Sequence, residues 1–264
     1  MVLPLHDDNP TRRTPIVTYL LIAANVVAFL LSPVATHVVG STSSQQQCRQ
    51  VAFFDQYAAK PDELLHNRQE PSGATGAVGR AHGRVGCVEQ HPAPFRKTPF
   101  FSVLFAMFLH GGWLHLLGNL LFLYVFGNNI EDRLGRLAYL VFYVFCGYAA
   151  TYGFALFQAG STQPLVGASG AIAGVLGAYL VLYPRVKVLS LLTFFFFLPV
   201  RLPAWLVLGS WFVLQYAYFS GAGVAGGSGV AYGAHVVGFV VGGALVWSLR
   251  GGTAAVPGGR PRRR

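Results

Sequence analysis

LVGASGAIAG (Leu165–Gly174) sets one hydroxyl, Ser169, among glycines and alanines in a chain otherwise rich in oily side chains. A serine so placed is either a helix-packing contact or a nucleophile with room around it. The choice turns on whether the neighbouring segments cross a bilayer. Of the 264 residues, 53% are hydrophobic and only 11% are charged, whereas a water-soluble chain carries roughly a quarter charged residues. Crossing a hydrocarbon core takes about 20 consecutive apolar residues, with 17 acceptable. Such runs cover about 15–36, 106–129, 137–157, 168–183, 203–219 and 233–249, some of them short. The expected fold is an all-α membrane protein, a bundle of six transmembrane helices.

Charge placement orients that bundle. The formal net charge is +10, which by itself suggests nucleic acid. The basic residues fall elsewhere: Arg12 and Arg13; Arg133 and Arg136; Arg185, Lys187 and Arg201; then Arg250 and the arginines of the tail 251–264. These segments share one side of a six-span chain, while the short loops 158–166 and 220–232 opposite carry no charge. That is the positive-inside pattern, so both termini are expected in the cytoplasm and no nucleic acid as partner. The tail is expected to be a disordered end near anionic lipid headgroups. Asp7 and Asp8 do not suit a signal peptide, and the residues flanking Arg12-Arg13 do not suit a twin-arginine signal. The run 15–36 is therefore read as a retained helix behind a cytoplasmic segment 1–14.

Loop 37–99, rich in Ser, Gln, Pro and Gly, is the one water-soluble block and falls on the extracytoplasmic side. It carries Cys48 and Cys87, which are expected to form a disulfide there; two free thiols are the alternative. Cys146 reads as a buried packing residue. The stretch 186–200 is apolar, but Lys187 and Arg201 bracket only 13 residues, too few to span. It is expected to be a cytoplasmic interfacial or re-entrant piece.

Polar groups inside a bilayer are costly and are functional candidates by default. His110, His115, Asn119, Ser169 and His235 qualify. Ser169 lies 16 residues before Arg185, His235 lies 15 before Arg250, and His115 lies 16 before Glu131. At about 1.5 Å per residue, all three sit roughly 24 Å above the cytoplasmic boundary. Asn119 is one turn deeper than His115 on the same face. Gly170, Gly174 and Ala178 recur every fourth position beside Ser169, as Ala234, Gly238 and Gly242 do beside His235. Small residues at that spacing let helices approach closely, which would bring hydroxyl and imidazole together. A serine needs a positioned base to become a nucleophile, and every Asp and Glu lies at or before Asp132. The pattern argues for a Ser–His dyad without a carboxylate, its oxyanion held by the Ser169 N–H and by the His115 and Asn119 side chains. The G-x-S-x-G elbow of α/β-hydrolases is excluded, because Ala171 stands where its second glycine belongs.

HGGWLHLLGN (His110–Asn119), GASG (Gly167–Gly170) and AHVVGFVVGG (Ala234–Gly243), in that order and spacing, resemble the rhomboid intramembrane serine proteases. The resemblance covers about residues 12–250. It implies a six-helix core occupying 100–250 after the first helix and long loop. Ser169 would be the nucleophile and His235 the general base, with His115 and Asn119 at the oxyanion. His110 would support them, as would Gly167, Gly170, Gly238 and Gly242. Glu131 and Gly135, in GNNIEDRLG (Gly127–Gly135), would be structural. It also implies cleavage of transmembrane segments of other membrane proteins, at small residues, without metal or cofactor, with the site open to the extracytoplasmic side of the cell membrane. Loop 220–232, with its many glycines, would form part of a gate. The chain departs from the family where many members carry a Trp-Arg pair, having Phe101-Ser102 and the looser Phe95-Arg96. Two further readings share these features: a catalytically silent membrane protein that binds client helices, and a channel or transporter. Oligomeric state is not legible.

Overall fold

Glycine and proline punctuate the apolar runs and decide where each helix begins. The computed structural model describes residues 2–36, 43–81, 84–192, 198–221 and 230–250. The tail 251–264, positions 222–229 of the expected gate, 37–42 and 82–83 of the long loop, and 193–197 lie outside the described residues. In chain order the elements are β1 (Val2–Asp7), α1 (Ile16–Leu31), α2 (Ser44–Tyr57), α3 (Pro61–His66), β2 (Gly73–Ala81), β3 (Arg84–Gln90) and α4 (Pro99–Ala106). There follow α5 (Trp113–Phe122), a π-helical turn (Leu123–Gly127), α6 (Asn128–Leu134), α7 (Arg136–Phe157), α8 (Ser169–Leu182), β4 (Lys187–Leu192), β5 (Leu198–Pro203), α9 (Ala204–Phe219) and α10 (Tyr232–Arg250).

Two of the described helices, Arg136–Phe157 and Tyr232–Leu249, are long and apolar enough to cross a membrane; α1, α8 and α9 are apolar but shorter. The expected span 106–129 is corrected. Pro99–Ala106 is a separate short helix, and the helical run starts only at Trp113 and continues through the π turn to Leu134. Hydropathy stays high across Gly111-Gly112, but a glycine pair is a poor place to continue a helix. α1 ends at Leu31 instead of 36, because Ser32 takes an extended conformation before Pro33.

The core lies between the π turn, α7, α8 and α10, where Phe126, Tyr139, Tyr143, Leu176 and Tyr179 are fully buried. Outside it, Leu31, Leu114, Leu137, Leu156, Val213 and Trp247 are largely exposed on five different helices. An apolar belt of that extent would be an aggregation hazard in water and is the natural surface in lipid.

Glu131 ties the first helix to this core. α1 starts after Pro15 with no capping side chain of its own. The buried Glu131 carboxylate accepts from the Val17 N–H at 3.0 Å, the Thr18 N–H at 2.7 Å and the Thr18 hydroxyl at 2.8 Å. A carboxylate on the orphan N–H groups of a helix start also suits the helix dipole. Glu131→Ala strands those donors in the interior and is expected to cost about 3 kcal/mol or more. A thermal melt in detergent, with Glu131→Gln as the milder variant, checks it.

The described part of the stretch 186–200 is largely strand. β4 pairs antiparallel with β5 and also with β1, giving a three-stranded sheet in the order β1-β4-β5. Val188 and Ser190 alternate inward while Lys187 stays out, a period-2 pattern that suits a strand. The N-terminal segment thus supplies a strand where no structure was expected. Asp7 at its end is buried, accepting from Asn129 Nδ2 at 2.8 Å and from the Tyr179 hydroxyl. Burial pushes the Asp7 carboxyl above its ordinary value, and the Tyr179 hydrogen bond opposes that rise.

The described residues of loop 37–99 form a folded block. Ser43 caps α2 through the Gln46 N–H, and Pro61 starts α3. β2 and β3 form a hairpin that packs on α2. A disulfide joins Cys48 of α2 to Cys87 of β3, 39 residues on. Beneath lie two ion pairs, Lys60–Asp55 and a fully buried Lys97–Glu63 at 2.5 Å. Burial lowers the Lys97 ammonium, while Glu63 works to keep it charged.

Candidate active site

Ser169 is the first residue of α8, and the segment leading to it is held on three counts. Leu165 donates to the Ala59 carbonyl at 2.7 Å, a β-bridge between the folded loop block and this strand-like approach. The Asp62 N–H reaches the Ser161 carbonyl at 3.0 Å, and the Gly167 N–H reaches the Ala106 carbonyl at 2.9 Å. Gly167 itself has φ +122, a conformation L side chains rarely adopt, and a Cβ there would lie 2.7 Å from His115 Nε2. Both reasons call for glycine.

Close approach of α8 and α10 sets the partner. A Cβ at Gly238 would overlap the Gly170 carbonyl oxygen, and one at Gly242 would overlap that of Gly174. Gly177, outside the every-fourth pattern, likewise faces the Phe239 carbonyl of α10. On α7, Ala150 and Cys146 fill the space beside Gly170 and Gly174, and Cys146 is a buried free thiol. With the backbones in contact, the Ser169 Oγ lies 2.7 Å from His235 Nε2. Both residues are half-buried, shielded but reachable.

His110, His115 and Asn119 gather on the other flank. Asn119 Nδ2 donates to His110 Nε2 at 2.9 Å, and His110 Nδ1 lies 3.3 Å from the Phe108 carbonyl. The buried His110 thus orients the buried Asn119. The Asn119 amide nitrogen and His115 Nε2 both border the space that a Cβ on Gly167 would take, while His115 is exposed. A cavity of about 30 Å³ opens beside Ser169, lined by Ala106, Met107, Gly147, Gly170 and Ala234 among others.

One contact has no counterpart in the sequence reading. Gln215 of α9, buried, places its Oε1 2.7 Å from His235 Nδ1. Its signal was present: a lone amide inside an apolar run, 14 residues after Arg201, hence about 21 Å above the boundary and near the level of Ser169.

The geometry joins a hydroxyl, an imidazole and a side-chain amide donor at the start of one helix, a combination suited to acyl transfer. The family model described as Rhomboid domain matches residues 97–252, more than half of the chain. The chain belongs to the rhomboid family. Rhomboid-like protein 11, chloroplastic, of Arabidopsis thaliana is 31% identical over 163 residues, covering 57% of this chain and 52% of that protein. Rhomboid protein 1, mitochondrial, of Saccharomyces cerevisiae is 31% identical over 153 residues, covering 53% and 42%. RHOMBOID-like protein 6, mitochondrial, also of Arabidopsis thaliana, is 32% identical over 109 residues, covering 39% and 34%. The chain thus spans from a third to half the length of these curated relatives. Rhomboid proteins are integral to membranes, and the family includes serine proteases alongside rhomboid-like members.

Proposed function

We propose that this rhomboid protein is an intramembrane serine endopeptidase acting on transmembrane segments of other membrane proteins. The 2.7 Å contact between Ser169 Oγ and His235 Nε2 carries the reading. His235 takes the Ser169 proton as Oγ attacks the scissile carbonyl, then returns it to the leaving amine. Water, activated by the same imidazole, releases the acyl group. The Ser169 N–H, Asn119 Nδ2 and His115 Nε2 are the donors for the oxyanion. His110 holds Asn119 in place, and the chemistry calls for no metal or cofactor. The cavity beside Ser169, walled by Ala106, Gly147, Gly170 and Ala234, suits a small side chain at the cut.

In this reading α1, the α5–α6 run, α7, α8, α9 and α10 are the six spans, with both termini cytoplasmic by the positive-inside distribution. α8 is short because it begins within the bilayer: its 14 residues reach about 21 Å. The disulfide-bearing block then lies outside the cell membrane, and the site opens toward it. Relatives named rhomboid-like favour a second reading, a silent binder of client helices. A fluorophosphonate probe separates the two, because it modifies only an activated serine. Detergent-solubilised protein is expected to be labelled and Ser169→Ala is not. Equal labelling of both proteins, or none of either, sinks the protease reading.

A further inference from the structure

Gln215 stands where a hydrolase triad would hold its carboxylate. We infer that it is the positioning residue that sets the tautomer of His235, making the working unit Ser169–His235–Gln215. The inference rests on the serine-protease reading and adds a third member to it. A neutral imidazole carries one proton, and only the nitrogen without it can act as base. Gln215 Oε1, 2.7 Å from Nδ1, is an acceptor only. It therefore holds the proton on Nδ1 and leaves the Nε2 lone pair facing the Ser169 hydroxyl at 2.7 Å. With the amide reversed, its NH₂ would donate to Nδ1, the proton would sit on Nε2, and the base would be lost.

The choice of an amide follows from the surroundings. No carboxylate occurs after Asp132 in the sequence, and a buried charge at this depth is expensive. An amide supplies the orienting acceptor without charge. Trp211, on the same helix as Gln215, packs near the His235 ring with centroids 5.9 Å apart, and Tyr232 meets it edge-on at 6.2 Å. From another element, His115 of α5 is a titratable group that acts electrostatically on His235. Gln215 supplies the acceptor on Nδ1, so its loss frees the ring to change tautomer.

The test compares wild type, Ser169→Ala, Gln215→Met and Gln215→Glu in proteoliposomes with a fluorescent transmembrane reporter. Gln215→Met keeps volume and loses the acceptor; kcat is expected to fall about 10- to 100-fold with KM nearly unchanged. Gln215→Glu restores the acceptor and adds a negative charge that favours the imidazolium. The base must be neutral to work, so the acid limb of the pH–rate profile is expected to move up by about one unit. A purely structural role for Gln215 predicts neither the KM-against-kcat split nor the moved limb. Wild-type kcat in Gln215→Met together with an unmoved acid limb in Gln215→Glu overturns the inference. A wild-type protein that cuts no better than Ser169→Ala overturns the protease reading instead.

Discussion

Ser169→Ala and His235→Ala are each expected to lower kcat for a transmembrane reporter by about 10⁴-fold or more, and the double variant to fall no further. Hydroxyl and imidazole act as one unit: without the base the serine keeps its proton, and without the serine the base has nothing to activate. Their energies therefore do not add. Ser169 is half-buried at a helix contact made by glycine backbone, so its truncation removes little packing, whereas His235→Ala gives up the ring's contacts with Trp211 and Tyr232. Thermal stability in detergent is expected to change little in Ser169→Ala, which separates chemical loss from unfolding. Asn119→Ala is a graded companion, because one oxyanion donor is worth about 10²- to 10³-fold in kcat. Additive losses in the Ser169/His235 double variant would mean that the two groups do not share a step, and residual cleavage in Ser169→Ala would give the nucleophile's role to another group.

Much of this site is legible in the chain because polar atoms in an apolar run are rare and their depth can be counted. Ser169 and His235, 66 residues apart, meet at 2.7 Å, and the counting that puts them at one level uses only nearby charges. Gln215 obeys the same rule but is easily passed over, since a neutral amide has no obvious catalytic role until its neighbour is known. Other features are hidden for physical reasons. Hydropathy reports the solvent around a residue and not its backbone conformation, so Gly111-Gly112 breaks a helix inside an unbroken apolar run. The pairing of Ala59 with Leu165, and of β1 with β4, depends on strands far apart in sequence. Short strands carry too few residues to announce a partner. The interior of loop 37–99 is similarly silent, because its Ser, Gln and Gly content has no period while its buried ion pairs are tertiary.

Gly238→Ala and Gly242→Ala are expected to destabilise the protein by about 2–3 kcal/mol each and to lower kcat by about 10²-fold, the second effect being the more informative. At both positions the added Cβ meets a backbone carbonyl of α8, that of Gly170 or of Gly174. A side chain can swing away from a clash, but a carbonyl in a helical ladder cannot, so the helices themselves must part. Ser169 rides on α8 and His235 on α10, and their 2.7 Å contact spans the same seam. A separation of about 1 Å stretches that hydrogen bond out of range and costs roughly two decades in rate. Gly209→Ala on α9 is the control: nothing lies within 4 Å of its added methyl. Relief of glycine's backbone entropy is expected there to leave stability unchanged or raise it by up to about 1 kcal/mol. If Gly238→Ala behaved like Gly209→Ala in both melting and turnover, the glycine seam would not be what brings the imidazole to the serine. Loss of stability at Gly238 with turnover per folded molecule intact would mean that hydroxyl and base are aligned by Gln215 and the Leu165–Gly167 approach instead.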